Sequence, residues 1–229
     1  MMKPWFGIRK HLLGILYNKN FTTSKKFNIF FLQRKMLLKN NYYYFKNAIP
    51  HKLCDEIIAT AKNKIDHTGL VSNMAEKIIT KKTMKDLNKM RKSNIVWLDE
   101  TWIYKETQPF IHLANQQAGW NFDWDWTEPC QFTKYKKGQF YGWHSDSSFP
   151  NKNNRIRKLS VSILLSNPKD FKGGELEFNF VGSKTKKCKE LNSKGSMVIF
   201  PSFMKHRVKP VIQGERNSLV MWNTGRAFR

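Results

Sequence analysis

A chain of 229 residues, two fifths of them apolar, is long enough to bury one hydrophobic core without disulfide staples. Its three cysteines, Cys54, Cys130 and Cys188, are odd in number and lack CxxC spacing, which excludes a disulfide framework or zinc knot and suits reduced thiols in a cytoplasmic protein. The formal charge of +24 would attract anionic partners, yet Lys, Asn, Ile and Phe are all abundant, so the charge also reads as compositional bias and a nucleic-acid partner is not favoured.

Residues 1–40 stand apart as a basic N-terminal segment, with Lys3, Arg9, Lys10, Lys19, Lys25, Lys26, Arg34 and Lys35 ahead of Met36 and no acid before Asp55. This segment suits a flexible arm, an organellar transit peptide, or translation upstream of a start at Met36. No transmembrane span is predicted, because the best apolar run, Ile29 to Leu32, falls far short of the roughly 20 residues a helix needs.

Residues 41–229 are predicted to form a single domain. Tyr42 to Phe45 suits a strand, and Leu53, Ile57, Ile58, Ala61 and Ile65 recur at helical spacing after Pro50, predicting a helix from about 50 to 65. The lysine-crowded stretch 66–98 reads as an exposed connection. Asp99 is placed to cap a helix carrying Trp102 and Ile103, and Gln108-Pro109 to open a second one with Phe110, Leu113 and Ala114 inward, ended by Gly119. From Cys130 the period changes to two. Leu159, Val161, Ile163 and Leu165 alternate with Ser160, Ser162 and Leu164, and 196–200 and 218–222 are further strand-like runs. Helices first and short strands after predict an α+β fold, a β-sandwich or jelly roll with the helices packed on one sheet.

Within that strand-rich half, His144-Ser145-Asp146 puts a histidine and a carboxylate two residues apart, and an extended strand would turn both to one face. His206 supplies a second histidine beyond several strands. Two histidines and one carboxylate make the facial triad of non-haem iron(II) oxygenases, which leaves coordination positions open for reactants. Arg216 follows ten residues later and would share a strand face with Ser218, Val220 and Trp222, where a guanidinium beside a hydroxyl can grip a carboxylate. Gly173-Gly174 is followed by neither a helix start nor Lys-Ser/Thr, so it reads as a turn between strands. His11, His51, His67 and His112 stand in no ligand-like context.

Taken in order, these pieces resemble the catalytic core of prolyl-4-hydroxylase-like 2-oxoglutarate/iron(II) oxygenases, especially the bacterial and phage PKHD-type hydroxylases. The resemblance rests on Tyr135-x-x-Gly138-x-x-Tyr141-x-x-His144-x-Asp146, on 159–168 with Gly173-Gly174-Glu175-Leu176, on Gly195-x-Met197-Val198-Ile199-Phe200-Pro201, and on His206-Arg207-Val208 with Gly214-x-Arg216. It covers about two fifths of the chain, a motif core of residues 130–225. It implies a double-stranded β-helix in which His144, Asp146 and His206 ligate Fe(II) and Arg216 binds the C5 carboxylate of 2-oxoglutarate. Tyr135 and Ser218 are implied as further co-substrate contacts. Where animal oxygen-sensing relatives place a second co-substrate tyrosine, this chain has Leu164.

The resemblance further implies O2 as oxidant, ascorbate as reductant, succinate and carbon dioxide as products, and a peptide or protein substrate hydroxylated at proline or a similar residue. Tyr141, Trp143 and Trp222 are candidates to line the substrate cavity, with core packing as the other reading of Trp222. Two alternatives share part of the pattern: a nucleic-acid-directed dioxygenase would exploit the charge, and a cupin-like metal protein would need no Arg216.

Overall fold

The computed structural model describes residues 40–64, 67–68, 88–147, 149–151, 153–180 and 184–227. These belong to one compact unit, Leu37–Arg229. Residues 1–39 and 69–87, and with them nearly all of the basic N-terminal segment, His11 and most of the lysine-crowded stretch, lie outside the described residues.

Two helices precede most of the strands. Helix α1, His51–Lys62, buries Ile57 and Ala61 of the predicted stripe together with Cys54, which the stripe did not include, while Leu53 and Ile58 are half-buried and Ile65 lies outside the described residues. Helix α2 runs unbroken over Thr101–Gln117 with Pro109 inside it, where the sequence suggested two helices. Proline removes one backbone hydrogen bond and costs about 3 kcal/mol in a helix interior. The buried stripe Ile103, Thr107, Ile111 and Ala114 stays in phase across it, and burying a residue the size of Ile111 returns about 1.5–3 kcal/mol. Leu113, expected inward, is instead 43% exposed because it falls off that stripe. Asp99 does not cap the helix either: Glu100 holds the N-cap position without a side-chain bond, and Asp99 accepts from the Tyr104 hydroxyl at 2.8 Å. Gly119 ends the helix as expected, at φ +69°.

The strands form two main antiparallel sheets. The larger runs in the order β1 (Tyr43–Phe45), β12 (Met197–Pro201), β8 (Arg155–Leu164), β15 (Arg216–Arg226), β6 (Cys130–Tyr135), β4 (Asn94–Leu98) and β2 (His67–Thr68), with β5 (Trp126–Thr127) alongside β15. The smaller runs β11 (Lys186–Lys187), β10 (Leu176–Asn179), β13 (Lys205–Val208), β7 (Phe140–His144) and β3 (Arg91–Lys92). A ribbon of β9 (Phe171–Gly173) and β14 (Val211–Gly214) completes the set. Three of these strands, β2, β3 and β4, correct the sequence reading of an exposed connection as far as residue 98. Ile95, Val96 and Leu98 are buried and pair with Thr133, Phe132 and Cys130, so the apolar end of that stretch belongs to the sheet.

Strand alternation separates the two faces of the larger sheet. Val96, Leu98, Cys130, Phe132, Leu159, Val161, Ile163, Leu219 and Met221 join the buried faces of both helices in one apolar cluster. Their alternate neighbours Gln131, Thr133, Tyr135, Ser162, Arg216, Ser218 and Trp222 line a cavity that also takes residues from the smaller sheet. The free thiols Cys54, Cys130 and Cys188 are all buried. Among the described residues no helix is long and apolar enough to cross a membrane.

Candidate functional site

The cavity has a histidine-carboxylate end and an arginine end. At the first, His206 on β13 pairs directly with His144 on β7, so the register of two strands brings together residues 62 positions apart. The strand ends at His144; Asp146 lies just past it, where the amides of Asp146 and Ser147 both donate to Ser202 O at 2.9 Å. The carboxylate is thus aimed by an anchored bend, not by the strand alternation the sequence suggested. Asp146 Oδ1 lies 3.6 Å from His144 Nε2, and Oδ2 lies 3.5 Å from His206 Nε2. The potential ligand atoms all fall within 4.8 Å of one another, and this is the only such group among the described residues.

Each donor is held by a second contact. Nδ1 of His144 lies 2.8 Å from Gly142 O and Nδ1 of His206 lies 2.9 Å from Met204 O, so the ring proton belongs on Nδ1 and Nε2 keeps its lone pair. Ser160 donates to Asp146 Oδ2 at 2.7 Å, with Ser202 Oγ 2.9 Å beyond it. Burial, then His206 beside it, pushes His144 down to about 3, which keeps it neutral. Burial alone would raise the Asp146 carboxyl, but the Arg157 charge and the Ser160 hydrogen bond work against it and hold it below the usual carboxylate range, so it is ionised. The Tyr141 ring stacks on His144 at 3.5 Å and 11°.

At the other end Arg216 opens β15, opposite Tyr135. It is 2% exposed, and among the described residues no carboxylate lies within ion-pair distance of it. Its Nη1 donates to Ser218 Oγ at 3.1 Å, and its guanidinium lies 5.8 Å from the Tyr135 ring centre. Burial lowers its pKa, yet a guanidinium stays charged at any ordinary pH. Gly174 makes room for it: a Cβ there would come within 2.8 Å of Arg216 Cδ, and φ is +68°. Gly174 is therefore a passage for the arginine stem next to β9, more than the turn its sequence suggested. Burial raises the Tyr135 phenol, which stays protonated as a donor. Leu164 lies directly across from Ser218 and is fully buried, offering no hydrogen bond.

Of the three aromatic candidates, Tyr141 and Trp222 line the cavity and Trp143 does not. Trp143 instead packs under the Arg207 guanidinium at 4.5 Å; a register shift between the His206–His144 and Val208–Tyr141 pairs lets Tyr141 and His144, three residues apart, both face the cavity and leaves Trp143 turned away from it. Trp222 is 5% exposed, with Arg157 3.8 Å over its ring and Trp97 6.1 Å away. Its Nε1 has no hydrogen-bond partner among the described residues. His51 is exposed, and His112 stacks on Trp124 at 4.5 Å. The side chains of His11 and His67 are outside the described residues.

Sequence reasoning missed Arg91, Gln131, Thr133, Arg157 and Ser160. Gln131 and Thr133 precede Tyr135 by four and two residues on one strand, so extending the alternation backwards would have found them. Ser160 follows from the same rule within β8. Arg91 was masked by the lysines around it.

Residues 130–224 match the family model of the 2OG-Fe(II) oxygenase superfamily. A PKHD-type hydroxylase of Teredinibacter turnerae is 38% identical over 98 residues, which are 41% of this chain and 42% of that protein. One from Shewanella baltica is 36% identical over 97 residues, with the same coverage. The chain thus spans less than half the length of the curated relatives it matches. The motif residues from Tyr135 to Arg216 lie within the matched stretch. Solved structures with the same fold include a viral collagen prolyl hydroxylase from Paramecium Bursaria Chlorella virus-1, at TM-score 0.59 and 20% identity over 81% of this chain and 97% of that one. A prolyl-4-hydroxylase from Pseudomonas putida reaches TM-score 0.58 at 21% identity, over 82% and 94% of the two chains. A prolyl hydroxylase from Trichoplax adhaerens, solved with a hypoxia inducible factor peptide fragment, reaches 0.56 at 18% identity over 80% and 83%.

Proposed function

We propose that this chain is an Fe(II)- and 2-oxoglutarate-dependent dioxygenase that hydroxylates a C–H bond of a peptidyl proline or similar residue. The observation that carries this reading is one cavity with a His144–Asp146–His206 cluster at one end and, at the other, a buried Arg216 with no carboxylate within ion-pair distance among the described residues. Two imidazole nitrogens and one carboxylate suit iron(II) and leave sites open. A buried guanidinium without an ion-pair partner suits the far carboxylate of a dicarboxylic co-substrate. When bound, the metal, 2-oxoglutarate and O2 would supply the oxidising chemistry, with succinate and carbon dioxide released and ascorbate as reductant.

The chain's own residues have definable tasks. Gly142 and Met204 carbonyls fix both imidazoles with Nε2 toward the metal position, and Ser160 holds the carboxylate. Arg216 and Ser218 would hold the C5 carboxylate, and the protonated Tyr135 would donate a hydrogen bond beside them. Burial of the cluster keeps water from the reacting centre. Trp222 presents an unpaired Nε1–H, matched by a carbonyl of an extended peptide. The fold neighbour solved with a peptide fragment supports a peptide substrate. Chemistry belongs to residues 41–229, in a double-stranded β-helix whose motif core is 130–225, with 1–40 outside it.

The test is anaerobic titration of Fe(II) and then 2-oxoglutarate, followed by a succinate-release screen over peptide and nucleic-acid pools. Turnover with proline peptides supports the reading; turnover only with nucleic acid replaces its substrate; metal binding without 2-oxoglutarate binding refutes it in favour of a cupin-like metal protein.

A further inference from the structure

Arg91 lies between the two ends of the cavity, in a stretch whose sequence resembles a solvated lysine run. It is 5% exposed and lines the cavity. Its Nε donates to Ser93 Oγ at 2.9 Å and its Nη2 to Gln131 Oε1 at 2.7 Å. Both partners are themselves buried, so the planar fork is fixed from two directions.

Two tyrosines meet that fixed plane. The guanidinium lies 4.5 Å from the Tyr141 ring centre, and Tyr141 stacks on His144. Strand pairing enforces the contact, because Arg91 on β3 is the direct partner of Tyr141 on β7. The Tyr135 phenol, whose ring lies beside Arg216, lines the same cavity as Arg91 and lies close enough for the Arg91 charge to oppose the effect of burial on it. From these contacts we infer that Arg91 is a positioning residue for both ends of the site, setting the His144 imidazole through Tyr141 and the Arg216–Tyr135 pair through the phenol. The inference rests on the proposed reading of the cavity as a metal and carboxylate site. It touches neither group directly, and its effect on both distinguishes it from a residue that serves only one.

A lysine keeps the charge but not the planar fork, so it can neither hold Ser93 and Gln131 together nor lie flat on Tyr141. Arg91→Lys and Arg91→Gln are therefore the variants to make, with Gln131→Ala as a milder one that frees a single arm of the fork. The first readout is the carbon-bound ring protons of His144 by NMR in the metal-free protein, which the stacked Tyr141 ring shifts from their ordinary positions. These resonances should move toward those of an unstacked histidine in all three variants. The second readout is binding. Co(II) affinity should fall on the order of ten- to a hundredfold, the range seen when a partner of a metal ligand is lost. The affinity of the Co(II)-loaded protein for 2-oxoglutarate should fall about tenfold as well, as for loss of one charge-assisted hydrogen bond. Tyr141→Leu should reproduce the metal loss alone, and Tyr135→Phe the 2-oxoglutarate loss alone. Lowered thermal stability with unmoved His144 resonances and unchanged Co(II) affinity would overturn the inference and leave Arg91 a packing residue. If Arg91 variants do not fold, the same criteria applied to Gln131→Ala decide it. A parent protein that binds no 2-oxoglutarate would instead sink the functional reading, while the metal-free resonance test of the stack would still stand.

Discussion

The two faces of the larger sheet are made by the same strands and do opposite work. On the helix side, Leu159, Val161, Ile163, Leu219 and Met221 are fully buried among apolar partners. On the cavity side their immediate neighbours Ser160, Ser162, Arg216 and Ser218 are buried almost as deeply but are polar. Burial of the first set stabilises the fold, at about 25 cal/mol for each Å² removed from water. Burial of the second set is unfavourable unless each group is paired, and here the pairing is specific: Ser160 to Asp146, Arg216 to Ser218, Arg91 to Gln131 and Ser93. Residues that build the fold and residues that build the site are therefore separable by parity along one strand. Substitutions on one face should move stability and on the other ligand binding.

The largest effect expected from the cavity side is loss of the ligand cluster. His144→Ala, Asp146→Ala or His206→Ala should each abolish turnover, by about a thousandfold or more, and weaken iron binding, while the far-ultraviolet circular dichroism stays that of the parent. Retained iron stoichiometry and activity in any one of them would remove that residue from the site. On the helix side, Leu219→Ala should cost about 2–5 kcal/mol in urea unfolding, the range for deleting a fully buried leucine side chain. If Leu219→Ala instead weakened 2-oxoglutarate binding at unchanged stability, the separation of the two faces would be wrong.

Arg216→Ala sharpens the comparison, because Arg216 is as buried as Leu219 but faces the cavity. Loss of a charge-assisted contact of roughly 1.5–3 kcal/mol should weaken 2-oxoglutarate about ten- to a hundredfold, with iron affinity nearly unchanged and Arg216→Lys recovering only part. Isothermal titration of metal-loaded protein under nitrogen would reveal the difference. Trp222→Phe is a smaller perturbation: it keeps an aromatic ring under Arg157 but deletes the Nε1–H. One neutral hydrogen bond predicts a rise in the peptide KM of about two- to tenfold with kcat little altered; an unchanged KM would assign Trp222 to packing. The smallest effect should come from a chain beginning at Met36, with kinetics like those of the full chain, because every described residue that lines the cavity lies at Arg91 or later. Lost turnover in that chain would bring the basic segment into the site.

Much of this was determined by the sequence alone. Period-two alternation in 159–165 and 218–222, and period 3.6 in 53–61, define strands and a helix because side-chain direction along each element is local geometry. The ordered motif from Tyr135 to Arg216 pointed to residues that the structure gathers in one cavity, the His144–Asp146–His206 cluster and Arg216, since residue type and spacing limit which chemistry a site can perform. Tertiary structure alone decided the rest. Whether Pro109 breaks a helix depends on whether the apolar stripe beyond it finds a core, which Ile111 and Ala114 do. Which way Trp143 faces depends on the pairing of β7 with its neighbours, and Asp146 is aimed by Ser202, more than fifty residues away. Arg91 shows the limit most plainly. Nothing in Met90-Arg91-Lys92 distinguishes it from the lysines around it. It becomes a buried residue of the site because β3 pairs with β7, setting it against Tyr141 fifty positions later, and pairing between distant strands is a property of the whole sheet.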